Sequence, residues 1–197
     1  MMRKIITRDA RDKTVKRNQL IMGVVLIGLM VFSTLGFAFS NKISNNGGVE
    51  EVEYKGVKFV RGSNGYWSFN VNGNDFLTLY NPKETTDIAS LNYLTLGIYS
   101  NKPLYFVGEQ GEHLSEIVRN LNPFIQRVSS ACLPGDDCQG DFPVKDCKVD
   151  NVIVLKEADE GGDERIYQED NCVYIVASFS NQVRYADKFL FEILGIK

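Results

Sequence analysis

One histidine, His113, stands in a chain of 197 residues. Any Ser-His-Asp or Cys-His mechanism would therefore have to run through that position. No G-x-S-x-G stretch supplies a nucleophile elbow, and the sequence reads His113 as a surface residue at the start of a helix. It closes the segment GEQGEH, Gly108–His113, which lies where α/β folds hold anions on a helix N-terminus. That segment lacks both G-x-G-x-x-G and the P-loop pattern. Its acids, Glu109 and Glu112, would repel a phosphate and suit the positive end of a helix dipole instead. A second acidic stretch, Glu157–Glu164 (EADEGGDE), holds five acids in eight positions. Clustered oxygen ligands are what calcium needs, but the EF-hand spacing is missing. A solvated hairpin loop between two strands is the plainer reading. Asp136, Asp137 and Asp141 invite the calcium idea with less force. The chain has 25 acids, of which Asp9 and Asp12 precede residue 41 and 23 follow it. No spacing among the 23 singles out a carboxylate pair for glycoside hydrolysis. The sequence thus assigns no catalytic residue, no cofactor and no metal.

The residues with the most definite chemistry are four cysteines, Cys132, Cys138, Cys147 and Cys172, all in the C-terminal half. An even count confined to one region fits two disulfides in an oxidising compartment. Zinc is the rival, but structural zinc sites bring ligands in close pairs. Here 5, 8 and 24 residues separate successive cysteines, and His113 is remote in sequence. No C-x-x-C suggests redox catalysis. Of the three possible pairings, the expected one is Cys132–Cys138, closing the turn-rich LPGDD loop, with Cys147–Cys172 tying two strands.

The address of that region follows from the N-terminal part. Leu20–Phe39 reads LIMGVVLIGLMVFSTLGFAF, twenty residues without a charge. At about 1.5 Å rise per residue such a helix spans roughly 30 Å, the thickness of a bilayer's hydrocarbon core. Ser33 and Thr34 can hydrogen-bond back to helix carbonyls. Seven basic residues (Arg3, Lys4, Arg8, Arg11, Lys13, Lys16, Arg17) face Asp9 and Asp12 before the run, a sum of +5 within residues 1–40. The remainder carries 15 basic and 23 acidic side chains, a sum of −8. This split reports orientation, with the N-terminus cytoplasmic, and gives no sign of nucleic-acid binding. The expected organisation is a basic cytoplasmic tail (1–19), a transmembrane helix (20–40), a polar stalk (41–49) and an extracytoplasmic domain (50–197). A cleaved signal peptide is the competitor, since Ala38-Phe39-Ser40 has the small-x-small form that signal peptidase accepts. The apolar run and its charged leader are both longer than secretory signals usually have.

The elements of the outer domain are read from periodicity. Val52–Tyr54 and Val57–Val60 flank Lys55-Gly56. Tyr66–Val71 and Asp75–Tyr80 flank Asn72-Gly73, a strong hairpin signal. Leu104–Val107 is a short apolar strand. Leu114, Ile117, Val118 and Leu121 then mark one helical face. Asn122-Pro123 stops that helix, and Phe124–Ser129 completes a β-α-β order. Val152–Leu155, Arg165–Gln168 and Val173–Ala177 are further strands. A closing helix from about Asn181 turns Val183, Ala186, Leu190 and Leu194 to the core, with Gly195 at its C′ position. The fold class expected is mixed α/β (α+β), β-rich at its N-terminal end.

Together, the basic tail, the anchor, the aromatic hairpins, PLYFVGE, DFPVKDC, DNVIVLKEA, IYQEDNCVYI and ADKFLFEILGIK resemble a group of small, uncharacterised single-pass membrane proteins of archaea. No activity is assigned to that group, so the resemblance implies an archaeal cell envelope and transfers no site residue. The first functional expectation is an anchored, non-enzymatic envelope protein that binds a partner or takes a structural place. The alternative is a membrane-tethered hydrolase using carboxylates.

Overall fold

Two glycine-bearing dipeptides set the first sheet. At Lys55-Gly56 and Asn72-Gly73 both residues have positive φ (51° and 79°, then 51° and 82°), as a two-residue type I′ hairpin requires. In the computed structural model, which describes residues 18–31, 50–89, 94–138, 140–159 and 161–196, these turns join antiparallel neighbours. Strands β1 (Glu51–Tyr54), β2 (Val57–Arg61), β3 (Trp67–Val71) and β4 (Asn74–Thr78) form a four-stranded sheet in sequence order. Period-two alternation turns Phe59, Trp67, Phe69 and Phe76 to one side, where they are buried with Phe191 and Ile196. The first and second hairpins thus form as the sequence leads one to expect, with the last strand ending at Thr78 rather than Tyr80.

The second sheet has five strands in the order β6-β5-β7-β9-β8. They are β5 (Pro103–Gly108), β6 (Arg127–Ser130), β7 (Asn151–Glu157), β8 (Arg165–Glu169) and β9 (Cys172–Ala177). All pairs are parallel except the edge pair β8–β9. Helix α2 (Glu112–Leu121) connects β5 to β6, the expected β-α-β unit. Helix α3 (Gln182–Ile193) follows β9 and is buried along nearly its whole length, from Tyr185 to Ile193. Against α2 and α3 the sheet packs Leu104, Phe106, Ile153, Leu155, Val173 and Ile175.

Parallel strands are ordinarily covered on both faces, which is why β5, β7 and β9 are apolar in consecutive positions. The second face carries Tyr105, Val107, Val152, Val154, Cys172 and Tyr174. No helix covers it among the described residues. Its cover is the irregular segment 131–150, with Leu133 and Cys147 packed inward. Such a segment lacks the backbone hydrogen bonds of a helix, and two disulfides hold it: Cys132–Cys138 and Cys147–Cys172. The expected pairing is the one observed.

One strand connection departs from the sequence reading. The acidic stretch from Glu157 was expected to be a hairpin loop, but β7 and β8 are not neighbours, because β9 lies between them. The stretch is a crossover to the sheet edge. Periodicity identifies strands but says nothing of lateral order.

By contact the chain divides into two units, Met1–Gly48 and Val49–Lys197. In the first, residues 18–31 form a helix, α1, whose large apolar residues from Leu20 through Leu29 are all exposed. Among the described residues no helix is long and apolar enough to cross a membrane. The described helix ends at residue 31; the rest of the expected 20–40 span, the tail before residue 18 and the 41–49 stalk lie outside the described residues.

Candidate functional site

The chain leaves β5 through α2 to β6 on one side, and then crosses to β7 on the other. Strands β5 and β7 are neighbours, so connections diverge from the point between them. The carboxyl ends of two such strands frame a crevice, the usual place for a ligand in open α/β sheets. A cavity of about 550 Å³ opens there, within the range of small-ligand sites. Phe106 and Gly108 come from β5, Val154 and Lys156 from β7, and Ser130 and Ala131 from β6 and its exit. The disulfide-closed loop supplies the outer wall with Asp136 and Asp137, and the half-exposed Phe142 follows just beyond it.

The crevice depends on glycine at position 108. Its φ is 110°, and a Cβ there would lie 1.9 Å from the Leu155 carbonyl oxygen. Only a residue without a side chain lets β5 and β7 approach this closely at their ends. Gln110 Nε2 donates to Ser130 Oγ across 3.3 Å, linking the exits of β5 and β6. The lining mixes apolar surface with two carboxylates, one ammonium and one amide. Among the described residues that line it there is no histidine and no free thiol.

The residues singled out from sequence are distributed unevenly around this crevice. Gly108, Asp136, Asp137 and the Cys132–Cys138 disulfide line it; Cys147–Cys172 fastens the cover elsewhere. Asp141 is exposed and does not line it. His113, expected at the surface, is instead buried. Its imidazole folds back over Gly111, where an added Cβ would meet the ring at 2.8 Å. Burial pushes its pKa below the usual value, opposed by its contact with Glu109. A helix-start position does not reveal that the ring turns inward over a glycine. Glu157, Asp159 and Glu164 border a separate depression with Phe179. Among the described residues no group of three or more His, Cys, Asp or Glu is placed to hold a metal ion. Glu164 braces the chain between β9 and α3, because its carboxylate accepts from the Ser178 N–H and from Asn181 Nδ2, each at 2.8 Å. Hydrogen bonds from Ser178 hold its pKa below the usual value.

A polar cluster that the apolar periodicity concealed lies between α2, α3 and the edge strand β4. Asn120 accepts from the Leu77 N–H at 2.9 Å and donates to the Leu77 carbonyl at 2.7 Å, imitating a further strand. Asp187 Oδ2 accepts from the N–H groups of Leu79 (3.1 Å) and Tyr80 (2.8 Å). Glu116 Oε2 accepts from Arg119 at 2.9 Å. The other oxygens of Glu116 and Asp187 are buried without an N–H donor, and the two carboxyls interact with each other. Burial first, then the neighbouring carboxylate, raises the pKa of Asp187; burial raises that of Glu116. The Glu116 carboxylate thus adds to burial in disfavouring ionisation of Asp187. Glu116 also borders a cleft of about 220 Å³ with Tyr66 and Arg119.

Compared with known protein families, curated proteins and solved structures, the chain matches none.

Proposed function

We propose that this protein is a membrane-anchored binding module, tethered by the apolar segment 20–40, with the domain from residue 50 onward displayed outside the cell membrane. The observation that carries the binding reading is the crevice between the ends of β5 and β7, at the point where strand connections diverge. Its volume suits a small ligand or a side chain presented by an envelope partner. Phe142, exposed at the rim of the crevice, supplies apolar surface for such a partner. The all-round apolar exposure of α1 from Leu20 to Leu29 supports the anchor, because such a helix requires an apolar surrounding. Two disulfides support the oxidising side of the membrane. The archaeal envelope is the setting that the sequence resemblance suggests.

The test is capture with the full chain from solubilised membranes. A ligand or partner held by wild type is expected to be lost with Ser130→Trp, which fills the crevice. It is expected to remain with Lys58→Glu, on the exposed face of β2. Equal capture by both variants would overturn the crevice as the site.

One observation favours the second reading, a tethered hydrolase using carboxylates: Glu116, with its raised pKa, borders a cleft beside Arg119. Against it, Asp187 is already engaged with two backbone N–H groups, and Glu116 with Arg119. Hydrolysis of envelope-type glycosides that disappears with Glu116→Gln, while the fold is retained, would establish it.

A further inference from the structure

On the second face of the parallel sheet, two cations converge on one phenol. Arg127 Nη2 donates to the Tyr105 hydroxyl at 2.9 Å, and the Lys145 ammonium lies 4.1 Å from the centre of the Tyr105 ring. Together with Ser129 and Val128 they border a cleft of about 270 Å³. Their placement is built into the fold. The β5–β6 register sets Tyr105 opposite Ser129 and Pro103 opposite Arg127, so Arg127 and Ser129 project from the same face of β6. Lys145 comes from a distant stretch of chain. Its backbone N–H donates to the Cys132 carbonyl at 2.8 Å, and the Cys132 N–H to the Pro143 carbonyl at 3.0 Å. The disulfide-bearing segment thus extends the sheet by one parallel bridge, Cys132 to Val144, and delivers the lysine to the cleft.

The charge here is only partly balanced. Asp150 Oδ1 lies 3.2 Å from Lys145 Nζ, while Arg127 forms no ion pair among the described residues. One carboxylate against two cations leaves a local excess of positive charge in a domain whose overall sum is negative. Arg127 spends one of its five N–H donors on Tyr105, leaving the others for a ligand. The Tyr105 oxygen accepts from Arg127 and keeps its own proton to donate. A bound oxyanion would supply the carboxylate-like counter-charge that Arg127 lacks among the described residues. A guanidinium fork beside an ammonium and a hydroxyl is the donor set that phosphate and sulfate groups fit.

We propose that the Tyr105–Arg127–Lys145 cleft is a binding site for a tetrahedral oxyanion, the phosphate or sulfate group of a ligand outside the membrane. The site is separate from the β5–β7 crevice, and its failure or success does not bear on that reading. The probes are inorganic phosphate and inorganic sulfate, titrated by calorimetry into the oxidised full chain in an uncharged detergent. The expected result is saturable binding of at least one ion at one site. Affinity is expected to fall at least tenfold in Arg127→Gln and in Lys145→Gln, and to be unchanged in Lys58→Gln on the exposed face of β2. Preference for one ion identifies whether phosphorylated or sulfated ligands are the source. Arg127→Lys, which keeps the charge and loses the fork, serves as a variant with minimal disturbance and should bind more weakly than wild type. No saturable binding of either ion overturns the proposal, as does binding that either glutamine substitution leaves unchanged.

Discussion

Replacing Asp187 with alanine removes one acceptor from two backbone N–H groups at once. Its Oδ2 serves both Leu79 and Tyr80 at the end of the meander, and the side chain is wholly buried. A buried donor left without a partner costs roughly 1–3 kcal/mol, so two cost about 2–6 kcal/mol. Removing a carboxyl that is itself buried beside Glu116 returns part of this, because a buried acid carries a desolvation penalty. A net loss of about 2–4 kcal/mol at neutral pH follows. Asp187→Asn separates the two contributions, since it keeps an acceptor oxygen and abolishes the charge; it should change stability by no more than about 1 kcal/mol. The sign of the pH dependence also follows. Both carboxyls have raised pKa values in the fold, so the folded protein holds a proton that the unfolded chain has already released. The pair therefore contributes most at acid pH. Its contribution falls as pH rises above the ordinary carboxyl range of 3.8–4.5, and levels off above the raised values. Asp187→Asn should flatten that decline. The assay is denaturant unfolding of the oxidised full chain, followed by the fluorescence of Trp67. It is the single tryptophan and is buried in the meander that Asp187 holds. An alanine variant within about 0.5 kcal/mol of wild type, or an asparagine variant with an undiminished pH slope, would refute the reasoning.

Gly108→Ala places a methyl group against the Leu155 carbonyl in a left-handed backbone, with no flexible side chain to yield. It should lower stability by at least about 3 kcal/mol or abolish folding, which circular dichroism during denaturation would show. Replacing Cys147 and Cys172 with serine opens a loop with a sequence separation of 25. In the chain-entropy model this removes about 3.5 kcal/mol, read as a lower denaturant midpoint, and loosens the cover of the second sheet face. Lys145 and Arg127 hold the Tyr105 phenol below its ordinary pKa. Ultraviolet titration should find one of the nine tyrosines ionising early, and Lys145→Gln should return it toward the common range.

Much of the fold was legible because local chemistry and tertiary structure agree. Lys55-Gly56 and Asn72-Gly73 specify their hairpins through backbone conformation alone. The 114/117/118/121 stripe of α2 faces the core as its spacing implies, and the cysteines pair as the turn-rich LPGDD loop and the flanking strands suggest. Features that depend on order in space were not legible. Nothing local says that β9 inserts between β7 and β8, and so the acidic crossover reads as a hairpin. Buried polar residues were hidden for a related reason. Glu116, Asn120 and Asp187 flank apolar stripes and read as solvated positions, yet all three are buried; Asn120 satisfies the open edge of β4 and Asp187 the two residues just beyond it, an edge whose location only the assembled fold reveals. The crevice was half visible, since GEQGEH marked the exit of β5. Its other wall comes from β7 and the disulfide loop, more than twenty residues away in sequence. Nor did the sequence single out the Tyr105 cleft, because Arg127 and Lys145 meet only through the Cys132–Val144 bridge.

Anchorage with the disulfide-bearing domain outside is tested most directly by adding protease to intact cells. The domain beyond about residue 41 should be removed, leaving a membrane-protected N-terminal fragment. A domain that stays fully protected until the membrane is broken contradicts the orientation, and recovery of the mature domain in the medium before any protease contradicts the anchor.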